Sequence, residues 1–208
     1  MEGNSEQVVF VVDDDESMRA ALTYLFQSMN LHVEVFSRAT AFLESELPSI
    51  ASCLVLDIRL PGVNGLEFQG VLAGAGIHIP IVFMTGHGDI PMSVKAMKAG
   101  AIDFLPKPFH DQDMLDAVML ALDQDRKRRD EVKAVSQLQH LFRSLTRRER
   151  EVLPLVISGL MNKQIAYRLE ISEITVKIHR GQVMKKMEAR SLADLVRMAE
   201  MLGIKRTN

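Results

Sequence analysis

Between Gln7 and Leu122 the chain alternates short apolar runs with segments whose apolar residues recur every three or four positions. The runs Gln7–Val12, Leu31–Phe36, Cys53–Leu56, Ile81–Met84 and Phe104–Leu105 predict β-strands. Several are apolar at consecutive positions, as parallel strands covered on both faces must be. Met18–Met29, Ala39–Leu47, Leu66–Leu72, Met92–Ala99 and Met114–Leu122 carry the helical spacing. Strands alternating with helices in this way predict a doubly wound α/β domain with a five-stranded parallel sheet. Its ligands belong beyond the carboxyl ends of the strands, at the topological switch point.

From residue 144 onward the β pattern disappears. Thr146-Arg147-Arg148-Glu149 reads as a capping box opening a helix that ends by Gly159, with Pro154 expected to kink it. Asn162–Leu169 is a short helix with Ile165, Ala166 and Leu169 on one face. After the tight connection Glu170-Ile171-Ser172, with Ser172 as N-cap, comes Glu173–Met187. Val176, His179, Val183 and Met187 share one face of that helix, and Thr175, Lys177, Ile178, Gly181, Gln182 and Lys185 the other. Ser191 opens a last helix that Gly203 ends. Two helices across a three-residue turn, the second with a basic outer face, predict a helix-turn-helix. The second helix fits the major groove of DNA, while Asn162, Lys163 and Arg180 are placed to hold phosphates. On pattern alone, a helical protein-interaction bundle with a solvated face remains the alternative.

The strand ends of the first part carry the candidate chemistry. The first strand ends in Asp13-Asp14-Asp15-Glu16, the third in Asp57, the fourth in Thr85, and the fifth leads to Lys107. Carboxylates gathered at one edge require a counter-charge, and a hard cation with oxygen ligands, Mg²⁺ (or Mn²⁺), supplies it economically. Asp57 stands alone among apolar residues on the central strand and is the carboxylate best placed to act as a nucleophile. Lys107 by charge and Thr85 by a hydrogen bond could then hold the oxygens of an incoming phosphoryl group.

Composition changes this picture in two ways. Taken whole, the net charge of −2 argues against nucleic acid, but it is an average. Residues 1–123 hold 6 Lys+Arg against 17 Asp+Glu, a net of −11, and residues 124–208 hold 19 against 10, a net of +9. Such an asymmetry points to a nucleic-acid-binding portion. The switch falls in the mixed-charge run Asp123–Glu131, free of Gly and Pro, which reads as a solvated helix joining two domains. A lone Cys53 excludes a disulfide framework, no run suits a membrane span, and Met1-Glu2-Gly3-Asn4 lacks a signal pattern. A cytoplasmic protein without a membrane partner is expected.

The motifs also resemble known families. Val11-Val12-Asp13-Asp14, Leu56-Asp57-Ile58-Arg59-Leu60-Pro61-Gly62, Thr85-Gly86-His87-Gly88 and Lys107-Pro108-Phe109 are similar to the receiver domain of two-component response regulators, of the FixJ type. The resemblance spans about residues 7–123 and implies a flavodoxin-like receiver phosphorylated on Asp57 by a sensor histidine kinase. It further implies that Asp14, Asp57 and the Arg59 backbone carbonyl ligate Mg²⁺, with Asp13 acting through water. Thr85 and Lys107 would contact the phosphoryl oxygens, Phe104 would be the switch aromatic, and Lys107-Pro108 would be cis. Arg59 and His87 would flank the acceptor. A competing resemblance is that of Asp13-Asp14-Asp15-Glu16-Ser17 to the opening motif of haloacid-dehalogenase-type phosphatases, in which Asp13 would be nucleophile and Asp15 general acid.

Leu145-Thr146-Arg147-Arg148-Glu149-Arg150-Glu151-Val152-Leu153, Asn162-Lys163-Gln164-Ile165-Ala166 and Ile171–His179 resemble the LuxR/NarL-type DNA-binding domain over residues 144–205. This implies that Thr175, Lys177, Ile178, Gly181 and Gln182 approach DNA and that the Leu192–Leu202 helix supports dimerisation. The two resemblances together imply a transcription regulator, not an enzyme: a receiver over 7–123, a helical linker over 124–143 and a DNA-binding domain over 144–208. Its partners would be the kinase, double-stranded DNA and, on phosphorylation, a second copy of itself, with RNA polymerase a further candidate.

Overall fold

A computed structural model describes residues 7–86 and 90–205, so His87 lies outside the described residues. The chain runs β1 (Val8–Val12), α1 (Glu16–Ser28), β2 (His32–Phe36), α2 (Ala39–Leu43), β3 (Ser52–Asp57), β4 (Arg59–Leu60), β5 (Val63–Asn64), α3 (Gly65–Gly74) and β6 (Ile81–Thr85). It continues through α4 (Ile90–Lys98), β7 (Asp103–Pro106), α5 (Asp111–Arg143), α6 (Arg147–Ile157), α7 (Asn162–Leu169), α8 (Glu173–Lys186) and α9 (Leu192–Met201). Contacts divide it into two compact units, residues 1–129 and 130–208.

The five long strands form one parallel sheet in the order β2-β1-β3-β6-β7. Every residue of β1 is buried, because alternate side chains enter different cores. Val8, Phe10 and Val12 meet Leu54, Leu56 and Phe83 under α2, α3 and α4. Val9 and Val11 meet Cys53, Val55 and Val82 under α1 and α5. Burial on both faces explains why these strands lack polar alternation. The chain leaves β1 for β2 on one side and returns to β3 on the other, so the switch point lies between β1 and β3. Register then fixes the edge: Val12 pairs with Leu56, Asp57 with Met84 and Thr85 with Pro106.

The sequence pattern did not reveal the small hairpin of β4 and β5. It turns at Pro61-Gly62, where Gly62 has φ +85°. Pro followed by a residue with positive φ suits a tight turn, and Gly adopts that φ without a steric cost. Asn64 then caps α3 by accepting from the Leu66 N–H at 2.9 Å. α2 ends at Leu43, four residues short of the expected Leu47; the Ser45 N–H donates to the Phe42 carbonyl, closing the chain into a tighter turn.

The expectation of a solvated run over Asp123–Glu131 needs correction. Those residues are helical, as part of one uninterrupted 33-residue α5, but Asp125 is fully buried. Its carboxylate accepts from the Ser52 N–H at 3.0 Å and from the Arg128 and Arg129 side chains. The run is therefore fastened through Asp125 and Arg129 to the amino end of β3.

In the second unit, Leu145, Val152, Leu153, Ile165, Val176, Val183 and Leu195 form a separate core. The capping box is present: the Glu149 N–H donates to Thr146 Oγ1 and the Thr146 N–H to Glu149 Oε2. α7 ends at Glu170, in the left-handed region at φ 54°, and Ser172 Oγ accepts from the Thr175 N–H to open α8.

Candidate functional site

Parallel register brings four strand ends to one edge. Asp13 follows β1, Asp57 ends β3, Thr85 ends β6 and Lys107 follows β7. Asp13 and Thr85 are fully buried and Asp57 is 7% exposed, while Asp14 is exposed. Carboxylate oxygens of Asp13, Asp14 and Asp57 lie within 4.8 Å of one another. Lys107 Nζ donates to Asp13 Oδ2 and to Asp57 Oδ2, both at 2.7 Å. One ammonium cannot neutralise three converging carboxylates, so the donor set fits a divalent cation with oxygen ligands. The Asp57 oxygen not held by Lys107, Oδ1, accepts from the Arg59 N–H at 3.0 Å.

Electrostatics follow from this packing. Burial pushes the Asp13 carboxyl above its ordinary value, and the Lys107 and Asp15 hydrogen bonds only partly offset it. Burial alone would lower Lys107, but its bonds to Asp13 and Asp57 outweigh that and hold it above its ordinary value, hence charged. Asp15 is occupied differently: its Oδ1 accepts from the Ser17 N–H at 2.8 Å and the Met18 N–H at 3.4 Å as the N-cap of α1. A carboxylate spent on a helix cap is poorly placed as a general acid, which counts against the dehalogenase-type reading. Phe104 is half-buried and packs against the core beneath α4. The Lys107-Pro108 bond is cis.

Gly65, not singled out from the sequence, lets α3 start against the end of β3. A Cβ there would stand 2.7 Å from the Asp57 carbonyl oxygen and 2.9 Å from Ile58 Cα, both backbone atoms. Gly65→Ala should therefore destabilise the α/β unit by about 1–3 kcal/mol, as overpacking does. Urea unfolding followed by circular dichroism measures this, and an unchanged midpoint would show that α3 can retreat freely.

In the second unit α8 turns Val176, Val183 and Met187 inward, with His179 half-buried. Lys177, Ile178, Gly181, Gln182 and Lys185 are exposed, and Thr175 is half-exposed beside its cap. Ile178 is 58% exposed, an apolar side chain facing outward on a basic helix. Lys163 is exposed at the start of α7, whereas Arg180 donates to Asn162 Oδ1 at 3.2 Å and so ties α7 to α8. Sequence reading also missed a brace: Lys186, on the last turn of α8, donates to both carboxylate oxygens of buried Glu149 at 3.0 and 2.7 Å. Burial raises the Glu149 carboxyl, but Lys186 and Thr146 outweigh that and leave it below its ordinary value. Among the described residues no helix is long and apolar enough to cross a membrane.

Comparison with known proteins agrees with this two-part architecture. Residues 9–119 match the response regulator receiver domain, and residues 143–199 the bacterial regulatory proteins of the luxR family. The chain is 59% identical to Nodulation protein W of Bradyrhizobium diazoefficiens over 203 residues, 98% of this chain and 89% of that protein. It is similar to the low-resolution structure of the response regulator StyR, with 52% identity, a TM-score of 0.86, and 94% and 99% of the two chains covered. Full-length FixJ from B. japonicum matches at 38% identity and a TM-score of 0.59, covering 97% of this chain and 99% of that one. A receiver and a LuxR-family DNA-binding domain on one chain make a transcriptional regulator, and this chain belongs to the FixJ-type response regulators.

Proposed function

We propose that Asp57 accepts a phosphoryl group from a sensor histidine kinase in a Mg²⁺-supported reaction (Mn²⁺ serving equally), and that this modification controls dimerisation and sequence-specific DNA binding. The observation that carries the reading is the Lys107 ammonium, 2.7 Å from Asp57 Oδ2 at the end of the central strand, with two further carboxylates beside it. An Asp57 oxygen attacks the phosphorus, the bond from phosphorus to the kinase imidazole nitrogen breaks, and an acyl phosphate forms on Asp57. Asp14, Asp57 and the Arg59 backbone carbonyl would hold the metal directly and Asp13 through water; the bound cation supplies neutralisation of phosphoryl charge. Lys107 transfers its hydrogen bond from the carboxylate to a phosphoryl oxygen, and the Thr85 hydroxyl serves a second oxygen. The new charge draws Thr85 and lets Phe104 turn inward, altering the face of α4 and α5 on which dimerisation depends.

The receiver then spans 7–123, the linker 124–143 and the DNA-binding domain 144–208 of a cytoplasmic protein. Thr175, Lys177, Ile178, Gly181 and Gln182 approach base edges, and Asn162, Lys163 and Arg180 the phosphates. Ile178 suits a thymine methyl group. RNA polymerase is the partner through which bound protein would act on transcription. Selecting DNA from a random pool with acyl-phosphate-treated and untreated protein tests the whole reading. Treated protein should enrich paired half-sites spaced by about one helical turn, and identical pools would refute phosphorylation control. Lys177→Ala should weaken binding to the selected site by roughly 1–3 kcal/mol if the side chain reads a base edge. Unchanged affinity at fixed salt, measured by gel shift, would make Lys177 merely a solvated residue.

A further inference from the structure

The acidic turn between β1 and α1 carries two of the three converging carboxylates, yet its middle residue, Asp14, is exposed. The neighbours of Asp14 are fastened instead. The Asp13 N–H donates to the Phe36 carbonyl at 3.2 Å, which fixes the turn to β2. The Asp15 N–H donates to Asp13 Oδ1 at 2.8 Å, and the Asp15 carboxylate is committed to capping α1. One further contact closes the frame: Arg19 Nη1 donates to the Asp13 main-chain carbonyl at 2.7 Å.

The partner in that contact is main chain, not a carboxylate. Arg19 stands one turn into α1, three to five positions after Asp14, Asp15 and Glu16. It donates to a backbone oxygen instead, and among the described residues it forms no ion pair. The carbonyl it grips belongs to the Asp13–Asp14 peptide, whose plane sets the direction in which the Asp14 side chain leaves the backbone. A charge-assisted hydrogen bond at this distance is strong enough to hold one orientation of that peptide.

We infer that Arg19 is a positioning residue of the cation site: it orients the Asp13–Asp14 peptide so that the Asp14 carboxylate meets Asp57. The inference rests on the proposed metal-binding role of the acidic cluster. It makes a prediction whose sign opposes simple electrostatics. A guanidinium beside a cation site repels the cation, so a bystander arginine, once removed, would leave Mg²⁺ bound more tightly. A positioning arginine, once removed, leaves Mg²⁺ bound more weakly, because the turn loses its preferred geometry.

Titrating the full-length protein with Mg²⁺ alone in a calorimeter decides between them, with no phosphoryl donor present. The dissociation constant of Arg19→Ala should rise about tenfold, the scale of outer-shell losses at metal sites. Arg19→Lys keeps the charge but not the planar fork, and its affinity should fall between the two. Circular dichroism of each variant reports whether the fold persists; should the alanine variant unfold, the lysine variant carries the test. Affinity equal to or tighter than wild type, in whichever folded variant is read, overturns the inference. Wild-type protein that takes up no Mg²⁺ overturns the metal reading as well, so the two failures are distinguishable.

Discussion

Asp57→Asn should abolish acyl-phosphate labelling and hold DNA binding at its untreated level. The carboxamide has the shape of the carboxylate, and its carbonyl can still accept the Arg59 N–H that Asp57 Oδ1 accepts at 3.0 Å. The fold should therefore persist, with the variant's circular dichroism matching wild type. What disappears is the anionic oxygen needed to attack phosphorus, and neither Asp13 nor Asp15 is free to replace it. Asp13 is fully buried with one oxygen on Lys107 and the other on the Asp15 N–H. Asp15 caps α1. The expected loss exceeds about 100-fold, since an amide has no nucleophilic oxygen anion at neutral pH. Mass spectrometry of protein treated with an acyl phosphate and Mg²⁺ reads the result. Label retained in Asp57→Asn but lost in Asp13→Asn would restore the dehalogenase-type assignment.

Which features could be read from the chain depends on how local their causes are. The strands were legible because burial on both faces demands runs such as Val8–Val12 that nothing else explains as simply. The convergence of Asp13, Asp57, Thr85 and Lys107 was legible for the same reason: once the strands are parallel, their ends share an edge. The helix-turn-helix announced itself through Ser172 and the facing of Val176 and Val183. Other features depend on register between distant segments. Gly65 matters only because α3 begins against the Asp57 carbonyl, and Arg19 only because its reach ends on Asp13. Lys186 and Glu149 lie 37 positions apart, and no spacing rule joins them. Asp125 misled for the opposite reason. Its charged neighbours make the segment look solvated, whereas Arg128 and Arg129 are the partners that allow a carboxylate to be buried.

That burial has a measurable consequence: Asp125→Ala should destabilise the α/β unit although the residue lies in a charged run. The carboxylate accepts from Ser52 N–H at 3.0 Å, from Arg128 Nη2 at 2.6 Å and from Arg129 Nε at 2.5 Å, while Arg129 also reaches Ser52 Oγ at 3.2 Å. Removing it strands a buried backbone donor and leaves two guanidinium groups without their counter-charge. Breaking a fully buried pair costs about 3–5 kcal/mol. Here the two arginine side chains remain 40% and 23% exposed, so water partly takes the place of the lost acceptor. A loss of roughly 2–3 kcal/mol is the appropriate scale after that screening. Acid should erase the difference. Burial pushes the Asp125 carboxyl up, but the Arg129 and Arg128 hydrogen bonds outweigh it, so its folded value lies below the ordinary 3.8. A carboxyl depressed in the folded state contributes its full stability above the unfolded value and loses it as pH falls through the folded one. Urea unfolding of the α/β unit should therefore separate wild type from Asp125→Ala most widely near neutral pH, with the gap closing below about pH 4. A gap of the same size at pH 7 and pH 3 would mean that side-chain volume, not charge, fastens α5 to β3.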